Sequence, residues 1–295
     1  MCPWDAMTYV TMSSRRGRSS SASLRQVLSV DYSLIRRCRR NGGCRVDCAH
    51  DRTDDSRLPW EADGYGGWGG HEYHGTEPGT ERPPVVFVHG NQRDACDWDP
   101  HAEFFLNRSY GGDELWAVSF GDASPTHPAM ADQLEEFVSQ VCAYTGAEEV
   151  SVVGHSLGVT GLRYWLARED RYDRVDSFVG IAGANHGSEL FGLAVRVGLT
   201  EGTYGVCRFL QDGPAGESPL AALNENETPG DVDYYTIRGT EDPLFMQRPE
   251  SPALEGATNV ALETDHDGAR ESLDSLELLY EWVADESPYN VRTFV

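Results

Sequence analysis

Val150-Ser-Val-Val-Gly154-His155-Ser156-Leu157-Gly158 decides how this chain is read. A Val-rich run leads into Gly-x-Ser-x-Gly, and beyond it Leu157, Leu162, Trp165 and Leu166 recur at helical spacing. That order describes an apolar strand, a sharp turn and an amphipathic helix. Such a turn lifts a serine hydroxyl clear of a sheet's edge. Glycines two residues to either side let neighbouring backbone pass closely, and the helix N-terminus directs its dipole at the hydroxyl. The five-residue pattern alone fits an ordinary turn serine. With the strand before it and the helix after it, Ser156 becomes the candidate nucleophile.

From Pro83 onward, short apolar runs alternate with longer amphipathic stretches. The runs are Val85–Val88, Leu115–Phe120, Val150–Val153, Phe178–Ile181, Tyr234–Ile237 and Val260–Leu262. Helical patterns fall near Met130–Tyr144, Leu157–Arg168 and Ala269–Val283. Alternation of this kind predicts an α/β domain, a mainly parallel sheet with helices on both faces. Residues 1–80 read differently. Ser13-Ser-Arg-Arg-Gly-Arg-Ser is polar and basic, and Gly64-Tyr-Gly-Gly-Trp-Gly-Gly is glycine-rich, so 1–80 is expected to be a disordered or mis-started extension and 81–295 the catalytic domain.

The 295 residues contain 24 basic side chains, all Arg, against 48 Asp and Glu, for a net charge of -24. Residues 1–50 hold nine Arg and three acids, or +6; residues 51–295 hold 15 Arg and 45 acids, or -30. A domain so charged repels nucleic-acid phosphates and repels itself in dilute salt, so it reads as adapted to high salt, where the Debye length shrinks to about 3 Å at 1 M. No apolar run of eighteen residues is present, so no transmembrane segment is expected. Arg15-Arg16 suggests twin-arginine export, but no apolar stretch of proper length follows, and cytoplasmic and secreted placements both stay open. Of the seven Cys, four lie in the first 48 residues and read as incidental thiols of a disordered tail; Cys96, Cys142 and Cys207 are scattered. Cys38, Cys44, Cys48 and His50 match no usual zinc spacing, so no metal is expected.

Acyl transfer at a serine needs more than the nucleophile. The developing oxyanion needs two pre-aimed N–H donors. The backbone of Leu157 supplies one. The loop after Val85-Val-Phe-Val88, in His89-Gly90-Asn91, supplies the other, with Asn91 as the choice and His89 as a structural residue. A general base and an orienting carboxylate must follow in the order Ser, acid, His. Only His186 and His266 lie beyond Ser156. His186 comes too early for an acid-bearing strand to precede it, so His266 is the base. The acid is Asp242, after the run ending at Gly239, with adjacent Glu241 as the alternative.

Together these segments resemble the small bacterial-type triacylglycerol lipases grouped as lipase class 2, within the α/β-hydrolase fold. The resemblance rests on Pro84–Gly90, Leu115-Trp-Ala-Val-Ser-Phe120, Thr145–Gly158, Gly183-Ala-Asn-His-Gly-Ser188, Leu220-Ala-Ala-Leu-Asn224 and Leu254–Val260, spread over Pro83 to Val283. It implies a Ser156, Asp242, His266 triad, an oxyanion hole at Asn91 and Leu157, no cofactor, and a lipid or small-molecule ester as substrate. One departure is the length of residues 188–230, whose stripe Leu190, Phe191, Leu193, Ala194, Val197 and Leu199 is expected to line an acyl pocket or pack on the core. The expected activity is a lipase or carboxylesterase; polyhydroxyalkanoate depolymerase, acyltransferase and an inactive binding protein of the same fold are the alternatives.

Overall fold

The computed structural model of the protein describes residues 51–188, 209–210 and 219–284. Its strands are β1 (Tyr65–Gly69), β2 (Val85–Val88), β3 (Leu115–Phe120), β4 (Val150–His155), β5 (Val175–Ile181), β6 (Asp233–Gly239) and β7 (Thr258–Leu262). The helices are α1 (Gly70–His74), α2 (Asp99–Leu106), α3 (His127–Thr145), α4 (Leu157–Glu169), α5 (Pro219–Leu223), α6 (Gly268–Glu271) and α7 (Leu273–Val283), with short 3₁₀ turns between some of them.

The seven strands form one sheet in the order β1-β3-β2-β4-β5-β6-β7. Every pairing is parallel except β1 with β3. Every residue of β2, β3 and β4 is buried. Successive side chains point to opposite faces of a strand, so burial at every position means that both faces are covered. That is why these runs are continuous Val, Phe and Leu rather than alternating. At the far edge, β7 is mostly exposed, and Asn259 ties it to β6 by accepting from the Thr236 hydroxyl at 2.6 Å.

The folded domain begins earlier in the chain than the composition suggests. Residues 51–80 belong to the domain: Tyr65 and Trp68 are fully buried, and all five residues of β1 pair with β3. The Trp68 indole N–H donates to the Ala95 carbonyl at 3.1 Å, and Trp60 stacks on Trp116 at 5.2 Å. Here the glycines serve close approach rather than flexibility. Gly67 has φ +143°, and a Cβ there would lie 2.1 Å from the Ala117 carbonyl oxygen. Residues 1–50, with Cys38, Cys44, Cys48 and His50, lie outside the described residues, as does the 190–199 stripe.

One smaller expectation also changes. The single helix near Ala269–Val283 is broken at Ser272, whose extended backbone and hydroxyl cap α7 by accepting from the Ser275 N–H. Of the cysteines among the described residues, Cys142 is a free buried thiol and Cys96 is disulfide-bonded.

Candidate active site

Parallel strands end on one edge of the sheet, and ligands of such sheets sit beyond that carboxyl edge. Three of the four described non-glycine residues with positive φ lie there: Gln92 after β2, Ser156 after β4 and Ala182 after β5. Strain of this kind persists only where surrounding structure enforces it. Ser156 has φ 55° and ψ -118°. Its N–H donates to the Ile181 carbonyl at 2.8 Å, and its carbonyl accepts from Val159 at 3.2 Å. The turn is therefore anchored to β5 on one side and to α4 on the other. A Cβ on Gly158 would lie 2.6 Å from the Val88 carbonyl oxygen, so only glycine lets α4 start against β2.

The loop after β2 lies beside Ser156. The Gly90 Cα faces it so closely that an added Cβ would be 3.1 Å from the Ser156 Cβ. His89 shapes this loop. Its Nδ1–H donates to the Gly90 carbonyl at 2.7 Å, and its Nε2 accepts from the Phe120 N–H at 3.1 Å. Burial pushes its pKa down to about 4, so the ring stays neutral. Both nitrogens are occupied, as a structural residue requires. Asn91 follows, with a buried side-chain Oδ1 that has no hydrogen-bond partner among the described residues. Leu157 opens α4, and the first N–H groups of a helix have no carbonyl one turn back to bond.

The structure brings Asp242 and His266 together across 24 residues of sequence. His266 Nδ1 lies 2.6 Å from Asp242 Oδ2, and the Asp242 side chain is 1% exposed. The other carboxylate oxygen accepts from the Leu244 N–H at 2.9 Å, which fixes the carboxylate's rotation. Glu241 points to solvent. The acid that meets His266 is thus Asp242, not its neighbour. Asp265 caps the turn through Gly268, and Asp267 pairs with Arg93 at 2.9 Å, so neither flanking acid holds the ring.

His186 is engaged elsewhere. Its Nδ1 reaches the Ser251 carbonyl at 3.1 Å and its Nε2 reaches Glu227 Oε1 at 2.8 Å. Both ring nitrogens are thus committed to partners away from Ser156. Neighbouring Asn185, fully buried, donates to the Pro252 carbonyl. Gly183-Ala-Asn-His-Gly thus fastens the β5 end to the loop before β7.

Sequence reasoning missed the supports of the His266 turn. Buried Arg270 pairs with Asp97 at 3.4 Å, and His101 Nε2 donates to the Arg270 carbonyl at 3.1 Å. With Arg93 and Asp267, these contacts clamp the turn to the segment after β2. Their partners lie about 170 residues away, and no local pattern announces them.

The family described as Lipase (class 2) matches residues 82–253. The chain belongs to the class 2 lipases. A triacylglycerol lipase of Vibrio cholerae serotype O1 is 29% identical to this class 2 lipase over 170 residues, covering 52% of this chain and 53% of the relative. The chain thus spans about half the length of the curated relative it matches. Two solved structures share the fold. Lipase BlEst2 of Bacillus licheniformis, in its propeptide form, has a TM-score of 0.53 and 19% identity, covering 69% of this chain and 51% of that one. Aspergillus fumigatus lipase B has a TM-score of 0.53 and 14% identity, covering 69% and 52%. At such identities the likeness speaks for the fold alone, and it is that of the α/β-hydrolases.

Proposed function

We propose that this class 2 lipase hydrolyses carboxylic esters through an acyl-enzyme on Ser156. The observation that carries the reading is the 2.6 Å contact of His266 with buried Asp242, formed beside the strained turn at Ser156. Asp242 holds the Nδ1–H tautomer and leaves Nε2 as the basic nitrogen. His266 takes the Ser156 hydroxyl proton as Oγ attacks the ester carbonyl carbon. The oxyanion forms against the backbone N–H groups of Leu157 and Asn91. The tetrahedral intermediate collapses, and His266 returns its proton to the departing alkoxide, which leaves as the alcohol. Water, deprotonated by His266, then attacks the acyl-enzyme and releases the acid. This chemistry needs no cofactor.

The family and the name of the Vibrio cholerae relative support fatty acyl esters, including those of glycerol, as the substrate class. A panel of p-nitrophenyl esters of rising chain length, run at molar salt with a fluorophosphonate probe, tests the reading. Labelling and turnover should both vanish in Ser156→Ala. A Ser156→Ala protein that still hydrolyses esters would overturn the assignment.

A further inference from the structure

His155, the residue before Ser156, takes no part in the steps above, yet it is 2% exposed and touches the other half of the site. Its Nε2 lies 3.2 Å from the main-chain carbonyl oxygen of His266, and the two rings lie 4.8 Å apart, centroid to centroid. A carbonyl only accepts, so Nε2 carries the proton and donates. In the neutral ring Nδ1 is then a bare lone pair, buried and without a hydrogen-bond partner among the described residues. Evolution of a core position for packing alone would favour an apolar ring of the same size, because an unmet buried acceptor is costly. The Nε2 bond is what the imidazole adds.

We propose that His155 is a positioning residue that fixes the separation between the nucleophile and the base, by tying the His266 carbonyl to the end of the strand that carries Ser156. The proposal rests on the catalytic reading of Ser156 and His266 given above. Proton transfer requires Ser156 Oγ and His266 Nε2 to meet at about 3 Å. Yet Ser156 follows β4 and His266 follows β7, and β5 and β6 lie between them. No ladder hydrogen bond joins the two strand ends directly. Asp242, from the end of β6, holds the ring of His266 through Nδ1. The His155 bond holds the main chain of the same residue from β4. With ring and carbonyl both held, the two side-chain torsions of His266 have little freedom left.

The charge state suits this task. Burial, chiefly, and then the neighbouring His266 and Arg270 hold the His155 pKa well below 6.5. The ring therefore stays neutral while His266 becomes imidazolium. A second cation 4.8 Å away would oppose that step.

His155→Gln and His155→Met form a matched pair. Each puts a heavy atom three bonds beyond Cβ, where Nε2 of the native ring lies, but only Gln has an N–H to donate. The pair separates the hydrogen bond from packing. In His155→Met, kcat and the rate of fluorophosphonate inactivation should fall together by about tenfold to a hundredfold, the cost of a small misplacement of reacting groups, while KM changes by less than about twofold. His155→Gln should recover most of that loss, and the two variants should melt within a few degrees of each other. A His155→Met protein with native kcat would overturn the proposal, as would equal losses in Met and Gln. Turnover surviving in Ser156→Ala would instead remove the catalytic reading beneath it.

Discussion

His186 and His266 are the same side chain in two settings, and the proposed roles rest on that difference. His186 has both nitrogens committed to Ser251 and Glu227; His266 has Nδ1 on Asp242. His266→Ala should abolish turnover with the fold retained. His186→Ala should keep kcat within a few-fold and lower the unfolding free energy by about 1–3 kcal/mol, since Glu227 is left with an unmet bond. Steady-state rates beside denaturant melts check both; a His186→Ala protein as inactive as His266→Ala would reverse the assignment. Likewise Asp242→Asn should slow kcat by about 10⁴, as losing the orienting carboxylate does elsewhere, whereas exposed Glu241→Gln should leave it near native. The meeting of Asp242 with His266 was legible because each follows a strand and the two lie in that order along the chain. Glu241 against Asp242 was not, because burial separates them and both follow the same run. His155, Arg93 and Arg270 were hidden for a further reason: their partners are 111 to 174 residues distant.

Among the elements, the parallel strands were legible and the antiparallel one was not. β2 to β4 announce themselves as apolar runs because both faces of the sheet are covered there. β1 has three glycines in five residues, which reads as a loop by composition. Its single indole, Trp68, buries against the Ala95 turn and stacks on Tyr73 at 5.5 Å. A chain starting at Arg82 should therefore lose soluble, folded protein, because it exposes the β3 edge and the Trp116 surface. A chain starting at Asp51 keeps β1 and is the informative comparison. Trp68→Ala should cost about 3–5 kcal/mol, the usual range for a buried tryptophan, read by denaturant melts. If the Arg82 chain melts like the longer one, β1 contributes nothing to the domain.

For the whole molecule, charge and strain govern how stability varies. Four buried histidines are held neutral, chiefly by burial: His89 at about 4, His101 and His127 at about 3, and His155 well below 6.5. The unfolded chain protonates them below about 6.5 and the folded chain does not. Stability they support above that pH is lost as pH falls from 6.5 toward those values, by about 1.4 kcal/mol per unit for each fully affected group. Asp99, raised to about 7 by burial and then by Glu103, and Asp97, raised chiefly by burial, act in the opposite sense, but they are two groups against four. Melting curves in molar salt should fall steeply from pH 6.5 to 5. At neutral pH the -30 on residues 51–295 should make melting temperature climb with KCl; a flat response would remove the high-salt expectation. The turn at Ser156 adds a trade-off between longevity and work. At φ 55° and ψ -118° a glycine would rest comfortably, so Ser156→Gly should melt above Ser156→Ala and above the native protein. It would regain about 1–3 kcal/mol of backbone strain against about 0.4–1 kcal/mol of extra unfolded-chain entropy. The hardiest form of this lipase would then be one that cannot turn over, and screens that select on heat resistance alone would drift toward it.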